Sequence, residues 1–271
     1  MVTNSSRNRV VDGSLRIALP SGAMLVDAGL LGRSADREAQ SIFSPEYWRA
    51  RGELESAARG RGSAWFIATA AATPASGAVR RLEHWVLRHY RRGGQAARLS
   101  VDRFVWAGEA RVRAFAEWRL LRTLRERGLP VPEPIAARYE RGRFTYRCDL
   151  IMRRIEAAFP LSLLIDTRTL TVAEWRTIGT VLARFHGAGV YHADLNAHNV
   201  LLDERGRVSL IDFDRGRLRT PGSWRRANLA RLHRSLVKLA RNLPADRFTP
   251  EAWEHVLAAY DGAGPGRARA S

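Results

Sequence analysis

The run His192-Ala193-Asp194-Leu195-Asn196-Ala197-His198-Asn199, followed by Leu210-Ile211-Asp212-Phe213-Asp214, constrains this chain more than any other feature. Val190-Tyr191-His192 reads as a short strand entering a loop, and Val200-Leu201-Leu202 as the strand leaving it. Asp203-Glu204-Arg205-Gly206-Arg207 is a turn, and Val208-Ser209-Leu210-Ile211 is the return strand. Asp194 then sits on the loop and Asn199, five residues on, at its exit. Asp212 follows Asn199 by thirteen residues, at the end of the paired strand. A hairpin of that length returns the amide and the second carboxylate to one place. A lone Asp or Asn on a loop is ordinarily turn chemistry. Three such groups at this spacing, between apolar flanks, point to a site.

The pattern H-x-D-x-x-x-x-N, then an apolar strand ending in D-F, matches the catalytic and metal-binding signature of the protein-kinase-like fold. The chemistry expected is phosphoryl transfer, with Asp194 accepting a hydroxyl proton. Mg²⁺ takes hard oxygen ligands and keeps several waters, so Asn199 and Asp212 beside nucleotide phosphates suffice to hold it.

At 271 residues the chain can bury a substantial core, and its apolar fraction of 45% is ordinary for a globular protein. No stretch approaches ~18 uninterrupted apolar residues, so no transmembrane helix is expected. Met1 to Arg9 is polar and lacks the apolar core of a signal peptide. The single cysteine, Cys148, excludes an internal disulfide, fits a reducing cytoplasm, and reads as a small half-buried strand residue. The formal net charge of +18 draws such a chain to polyanions: nucleic acid, anionic lipid or a highly phosphorylated substrate. Lys238 is the only lysine, so compositional bias explains arginine over lysine. It does not explain the excess of base over acid.

Residues 1 to about 40 show no clear period and read as a partly ordered extension. Gly60-Arg61-Gly62-Ser63 precedes the strand Trp65-Phe66-Ile67. Gly60 and Gly62 could lay backbone N–H groups over phosphates, although a plain hairpin turn is the usual reading of such a string. The Ala/Thr-rich segment 68–83 reads as an excursion, and His84 to Tyr90 as a strand. Kinases place a lysine on this strand. Here Arg88 stands after Trp85-Val86-Leu87, and its guanidinium can bind phosphate in bidentate fashion. A solvated strand arginine is the alternative. Arg91-Arg92-Gly93-Gly94 follows as a basic turn.

Glu109 to Arg127 has helical periodicity ended by Gly128 and Pro130, and Glu117 in its middle is placed to pair with Arg88. Most helix glutamates are surface charges; this one gains weight from the cation it would serve. Pro130 to Pro134 fixes an extended connection, Phe144 to Met152 reads as a further strand pair, and Arg153 to Glu156 as a hinge. Thr171-Val172-Ala173-Glu174 is a capping box that opens a helix with Trp175, Ile178, Leu182 and Phe185 on one face. His186 and His198 lack a matching metal cluster, so packing or loop hydrogen bonds are expected of them. After Asp212 only about sixty residues remain, with no A-P-E motif, a basic helix over Ser223–Leu243 and a last helix over Glu251–Tyr260. That argues against a regulated protein kinase and for a kinase of small molecules or lipids.

The class expected is therefore α+β, a bilobal protein-kinase-like fold with a β-rich N-lobe carrying one long helix and a small, mainly helical C-lobe. The expected segments are an extension over 1–40, a nucleotide-binding N-lobe over 41–152, a C-lobe with the catalytic loop and metal site over 153–262, and a disordered tail over 263–271.

The strings Val86-Leu87-Arg88-His89-Tyr90-Arg91-Arg92-Gly93-Gly94, Gly128-Leu129-Pro130-Val131-Pro132, Tyr191 to Asn199 and Ile211-Asp212-Phe213-Asp214-Arg215-Gly216 resemble the 3-deoxy-D-manno-octulosonic acid (Kdo) kinases, in the lipopolysaccharide kinase group of the kinase-like superfamily. The similarity runs from about Gly60 to Leu243. The resemblance implies ATP-dependent phosphorylation of the 4-hydroxyl of a Kdo residue on a lipid A precursor. It places that work peripherally at the cytoplasmic face of a Gram-negative inner membrane. It also implies Asp194 as base, Asn199 and Asp212 as Mg²⁺ ligands, Arg88 backed by Glu117 on phosphate, and Gly60 and Gly62 above it. The partners expected are the Kdo-bearing lipid and the anionic membrane surface, with Arg91, Arg92 and the basic face of 224–241 meeting lipid. No nucleic acid is expected, and a monomer is.

Three competing readings remain. One is a phosphotransferase for a core heptose or an antibiotic hydroxyl, although a basic chain suits a cationic antibiotic poorly. A nucleic-acid-binding protein would use the charge, but no aromatic strand motif or zinc pattern supports it. A catalytically dead scaffold conflicts with the intact Asp194, Asn199 and Asp212.

Overall fold

The computed structural model describes residues 8–11, 14–27, 40–57, 64–70, 82–91 and 102–264. The chain divides into two compact units, residues 1–122 with 132–154, and residues 123–131 with 155–271. One of the three boundaries between them along the chain, that between Arg154 and Ile155, falls inside the segment read as a hinge.

The first unit is built on an antiparallel sheet of nine strands among the described residues. They are β1 (Asn8–Val11), β2 (Ser14–Leu19), β3 (Gly22–Asp27), β4 (Leu54–Ala57), β5 (Ala64–Ala70), β6 (Leu82–His89), β7 (Phe104–Val105), β8 (Pro134–Arg141) and β9 (Thr145–Arg153). The order is β1-β2-β3-β8-β9-β6-β5-β4, with β7 also on β9. Alternation sends Ile67, Trp85, Leu87 and Ile151 to one face, where they pack with Met24, Val26, Phe43 and Trp48. Trp48 belongs to the short helix α1 (Pro45–Ala50) and donates its indole N–H to the Ile42 carbonyl at 2.6 Å. The other face carries Arg88, Tyr90 and Tyr139. Phe115, on the part of α2 (Arg113–Glu126) that belongs to this unit, meets Tyr139 edge to face at 5.2 Å.

Five sequence expectations differ from the structure. Residues 8–11 and 14–27, read as part of a partly ordered extension, carry three strands of the sheet. Ala23 to Val26 are buried on both faces, so the run shows no alternation to read. Phe144 to Met152 is not a strand pair: one strand, β9, runs from Thr145 between β8 and β6. Pro134 is tolerated because it is the first residue of its strand. The excursion read over 68–83 is shorter, since β5 continues to Ala70 and β6 begins at Leu82. The helix read from Glu109 opens with a separate 3₁₀ turn, Glu109–Arg111, and Val112 between the two is extended. Cys148 is wholly buried, not half-buried, at 0% exposure.

The second unit is mainly helical. It contains β10 (Ala158–Pro160), α3 (Leu161–Thr167), α4 (Val172–Gly187), β11 (Val190–Tyr191), β12 (Val200–Asp203), β13 (Val208–Leu210), β14 (Arg217–Leu218), α5 (Trp224–Ala240) and α6 (Pro250–Ala263). The capping box closes α4 as read: Thr171 Oγ1 accepts from the Glu174 N–H at 3.2 Å and Glu174 accepts from the Thr171 N–H at 2.8 Å. Gly179 lets α4 and α6 touch, because a Cβ there would lie 2.1 Å from the Val256 carbonyl oxygen. Phe185 stacks on Phe213 at 6.0 Å, and His192 lies 4.8 Å from the same ring. The core thus reaches up to the catalytic loop.

Candidate active site

The loop between β11 and β12 is held from three sides. Asn228 of α5 clamps the His192 backbone, accepting from its N–H at 3.2 Å and donating to its carbonyl at 2.9 Å. His192 Nε2–H donates to the Ile211 carbonyl at 2.9 Å, and its Nδ1 accepts from the Asp194 N–H at 3.2 Å. Those bonds select the neutral tautomer, and burial holds the pKa of His192 below its ordinary value. Ser235 Oγ accepts from the Ala197 N–H at 3.2 Å, and the Ser162 N–H donates to the Ala197 carbonyl at 3.0 Å.

Within that frame Asp194 is the exposed member. Asn196 Nδ2 donates to its Oδ2 at 3.0 Å, and Arg231 of α5 stands 3.6 Å from its Oδ1. Asn199 is buried, and its Nδ2 donates to the Asp194 carbonyl at 2.9 Å, which turns the amide oxygen to the other side. The Ile211 N–H donates to the Asn199 carbonyl at 3.0 Å while Val200 pairs with Leu210, so Asp212 follows directly on the residue bonded to Asn199. Asp212 has a φ of 63°, in the left-handed region that a residue with a Cβ seldom adopts. The pairing around it sustains that strain, and strain of this sort gathers at functional sites. An amide oxygen and a carboxylate close together on a hairpin fit Mg²⁺, which draws its other ligands from phosphate and water. No group of three or more His, Cys, Asp or Glu side chains among the described residues could hold a metal, which such a two-ligand site does not need.

In the sheet unit Arg88 and Glu117 meet. Arg88 Nη1 donates to both carboxylate oxygens of Glu117, at 3.1 and 3.2 Å, and Glu117 is 1% exposed. The Tyr90 hydroxyl donates to Glu117 at 2.5 Å, and the Arg88 guanidinium lies over the Tyr90 ring at 4.8 Å. Burial and the neighbouring carboxylate push the Tyr90 pKa well up, so its proton stays in the network. Gly60, Gly62, Arg92, Gly93 and Gly94 lie outside the described residues. His186 and His198 are not brought together: His186 is buried with its Nδ1 2.8 Å from the Tyr260 hydroxyl, and the His198 N–H caps Asn196.

Sequence reasoning missed Tyr90, Asn196, Asn228 and Arg231. Asn228 left a signal, a lone amide on the buried stripe of α5 that also holds Leu229, Leu232 and Leu236. Arg231 left none among so many arginines.

A β-sheet with a cation paired to a buried helix glutamate, and a loop–hairpin with Asp194, Asn199 and Asp212, together define a protein-kinase-like phosphotransferase. The Lipopolysaccharide kinase (Kdo/WaaP) family model matches residues 45–260. The chain is 48% identical over 245 residues to a 3-deoxy-D-manno-octulosonic acid kinase of Xanthomonas campestris pv. campestris (strain B100), covering 89% of this chain and 90% of that one. A protein of the same name from Stenotrophomonas maltophilia (strain K279a) is 48% identical over 223 residues, 80% of this chain and 81% of that one. One from Xylella fastidiosa (strain 9a5c) is 42% identical over 242 residues, covering 89% and 90%. The chain belongs to the lipopolysaccharide kinase (Kdo/WaaP) family, and is an enzyme that transfers phosphate to a hydroxyl group.

Proposed function

We propose that the protein is an ATP-dependent kinase that phosphorylates the 4-hydroxyl of a Kdo residue on a lipid A precursor. The reading of the reaction rests on one observation: Asp194 stands exposed on a loop whose backbone is fixed by His192, Asn228 and Asn199. The acceptor rests on the relatives being 3-deoxy-D-manno-octulosonic acid kinases.

Asp194 takes the hydroxyl proton as the sugar oxygen attacks the γ-phosphorus and the bond to the bridging oxygen breaks to release ADP, while Asn196 steadies the carboxylate. Arg88 offers two N–H groups to phosphate oxygens and Glu117 holds its guanidinium in place. Asn199 and Asp212 would hold Mg²⁺, which when bound neutralises charge on the nucleotide phosphates. His192 keeps the loop in register with Ile211 and, being neutral, adds no competing charge.

The net charge of +18 suits an anionic, membrane-borne acceptor, and no described helix is long and apolar enough to cross a bilayer. Peripheral attachment at the cytoplasmic face of the inner membrane is the setting that fits both. Exposed Arg91 and the basic residues of α5, among them Arg226 and Arg234, are the groups offered to it.

The test is transfer of labelled phosphate from ATP to Kdo-bearing lipid A precursor, against heptosylated core and an aminoglycoside. The first acceptor should be preferred, with phosphate on the 4-position by NMR. Transfer to heptose or aminoglycoside alone would contradict the proposal.

A further inference from the structure

Over Asp194 lies a cavity of about 750 Å³, formed wholly within the helical unit and lined by Tyr191, Ala193, Asp194, Arg215, Arg217 and Arg231. Three arginines line it from three different parts of the chain. Arg215 sits in the turn after Phe213, closed by the Gly216 N–H on the Phe213 carbonyl at 2.7 Å, and it holds a left-handed φ of 60° despite its Cβ. Arg217 lies on β14 directly across from Tyr191, its guanidinium 5.5 Å from the ring centroid. Arg231 comes from α5, the helix that also clamps the loop through Asn228.

The lining holds three positive side chains against one carboxylate, that of Asp194. A neutral hydroxyl acceptor has no use for that surplus. The Arg231–Asp194 contact is open to solvent, at 46% and 59% side-chain exposure, so it is weak and exchangeable. A planar oxyanion offered to a guanidinium fork binds in bidentate fashion and more strongly.

We propose that this pocket is the acceptor subsite, and that Arg215, Arg217 and Arg231 bind the acceptor's carboxylate so that its hydroxyl meets Asp194. The inference rests on the Kdo reading above. When the acceptor's carboxylate engages Arg231, that arginine moves off Asp194 and the aspartate is left to take the proton. Tyr191 gives Arg217 a stacking surface that fixes its fork. The pocket thereby selects sugar acids over neutral sugars. An oxyanion on the same acceptor could also come from a lipid phosphate, and the experiment separates the two.

Initial rates are measured with three acceptors: Kdo-bearing lipid A precursor, the same molecule with the Kdo carboxylate as its methyl ester, and the acid with its lipid phosphates removed. The acid should exceed the ester roughly 100-fold in kcat/KM, and loss of the lipid phosphates should leave that preference standing. Arg217→Gln, checked for an unchanged melting temperature, should raise KM for the acid about tenfold or more and shrink the acid's advantage over the ester. Arg217→Lys should recover part of the loss, and Arg215→Gln gives an independent second variant. Equal use of acid and ester would overturn the inference and leave the Kdo reading intact. A preference that follows the lipid phosphates instead would do the same. No transfer to any of the three would overturn the Kdo reading itself.

Discussion

Glu117 places a carboxylate at 1% exposure beneath the sheet, a position that is costly unless a cation and hydrogen bonds meet it. Arg88 and Tyr90 do so. Truncating one partner of such a buried pair costs about 3 kcal/mol or more. Arg88→Ala should therefore lower both stability, by urea titration, and kcat/KM, whereas Arg88→Lys should spare more of each. An unchanged midpoint for Arg88→Ala would contradict the buried pair. His186 makes a second residue-scale prediction. Burial pushes its pKa down to about 4, so the native state keeps it neutral over a range where the unfolded chain, near ~6.5, is protonated. Its contribution is complete above about pH 6.5 and is lost as pH falls toward 4, an effect of up to about 3 kcal/mol. His186→Gln should show a flatter loss of stability between pH 7 and 4, and parallel curves would count against this. Arg88, Glu117, Asp194, Asn199 and Asp212 were legible in the sequence because each sits at a fixed spacing from an apolar strand or helix period. Tyr90, Arg231 and Asn228 were not, because no motif spacing marks them and only folding shows which groups they meet.

Among the elements, α4 and α6 touch through a glycine. A Cβ at Gly179 would lie 2.1 Å from the Val256 carbonyl, and backbone cannot yield as a flexible side chain can. Gly179→Ala should cost about 3 kcal/mol despite the better helix propensity of alanine, read as a lowered urea midpoint. A stabilised variant would show that the helices can separate freely. Thr171→Ala should cost about 1 kcal/mol by removing the cap. Helix α4 was readable because it pairs an apolar stripe with a chemical start signal, Thr171. The strands β2 and β3 were not. In β3, continuous burial of Ala23 to Val26 erases the alternation that marks a half-buried strand, and its partner β8 lies more than a hundred residues on.

For the molecule as a whole, the charge of +18 belongs to association rather than to fold. The protein should bind vesicles containing anionic phospholipid, and salt of ~0.5 M should release it, because screening shortens the reach of surface charge to a few ångströms. Equal binding to neutral vesicles, insensitive to salt, would contradict peripheral electrostatic attachment. The central claim is narrower: the carboxylate of Asp194 accepts the hydroxyl proton during transfer to the Kdo sugar. The direct measurement is the single-turnover rate of Asp194→Ala on Kdo-bearing lipid A precursor with saturating ATP, beside a melting curve showing the variant folded. The rate should fall by about a thousandfold with folding intact. A folded variant that transfers phosphate at the native rate would contradict the account.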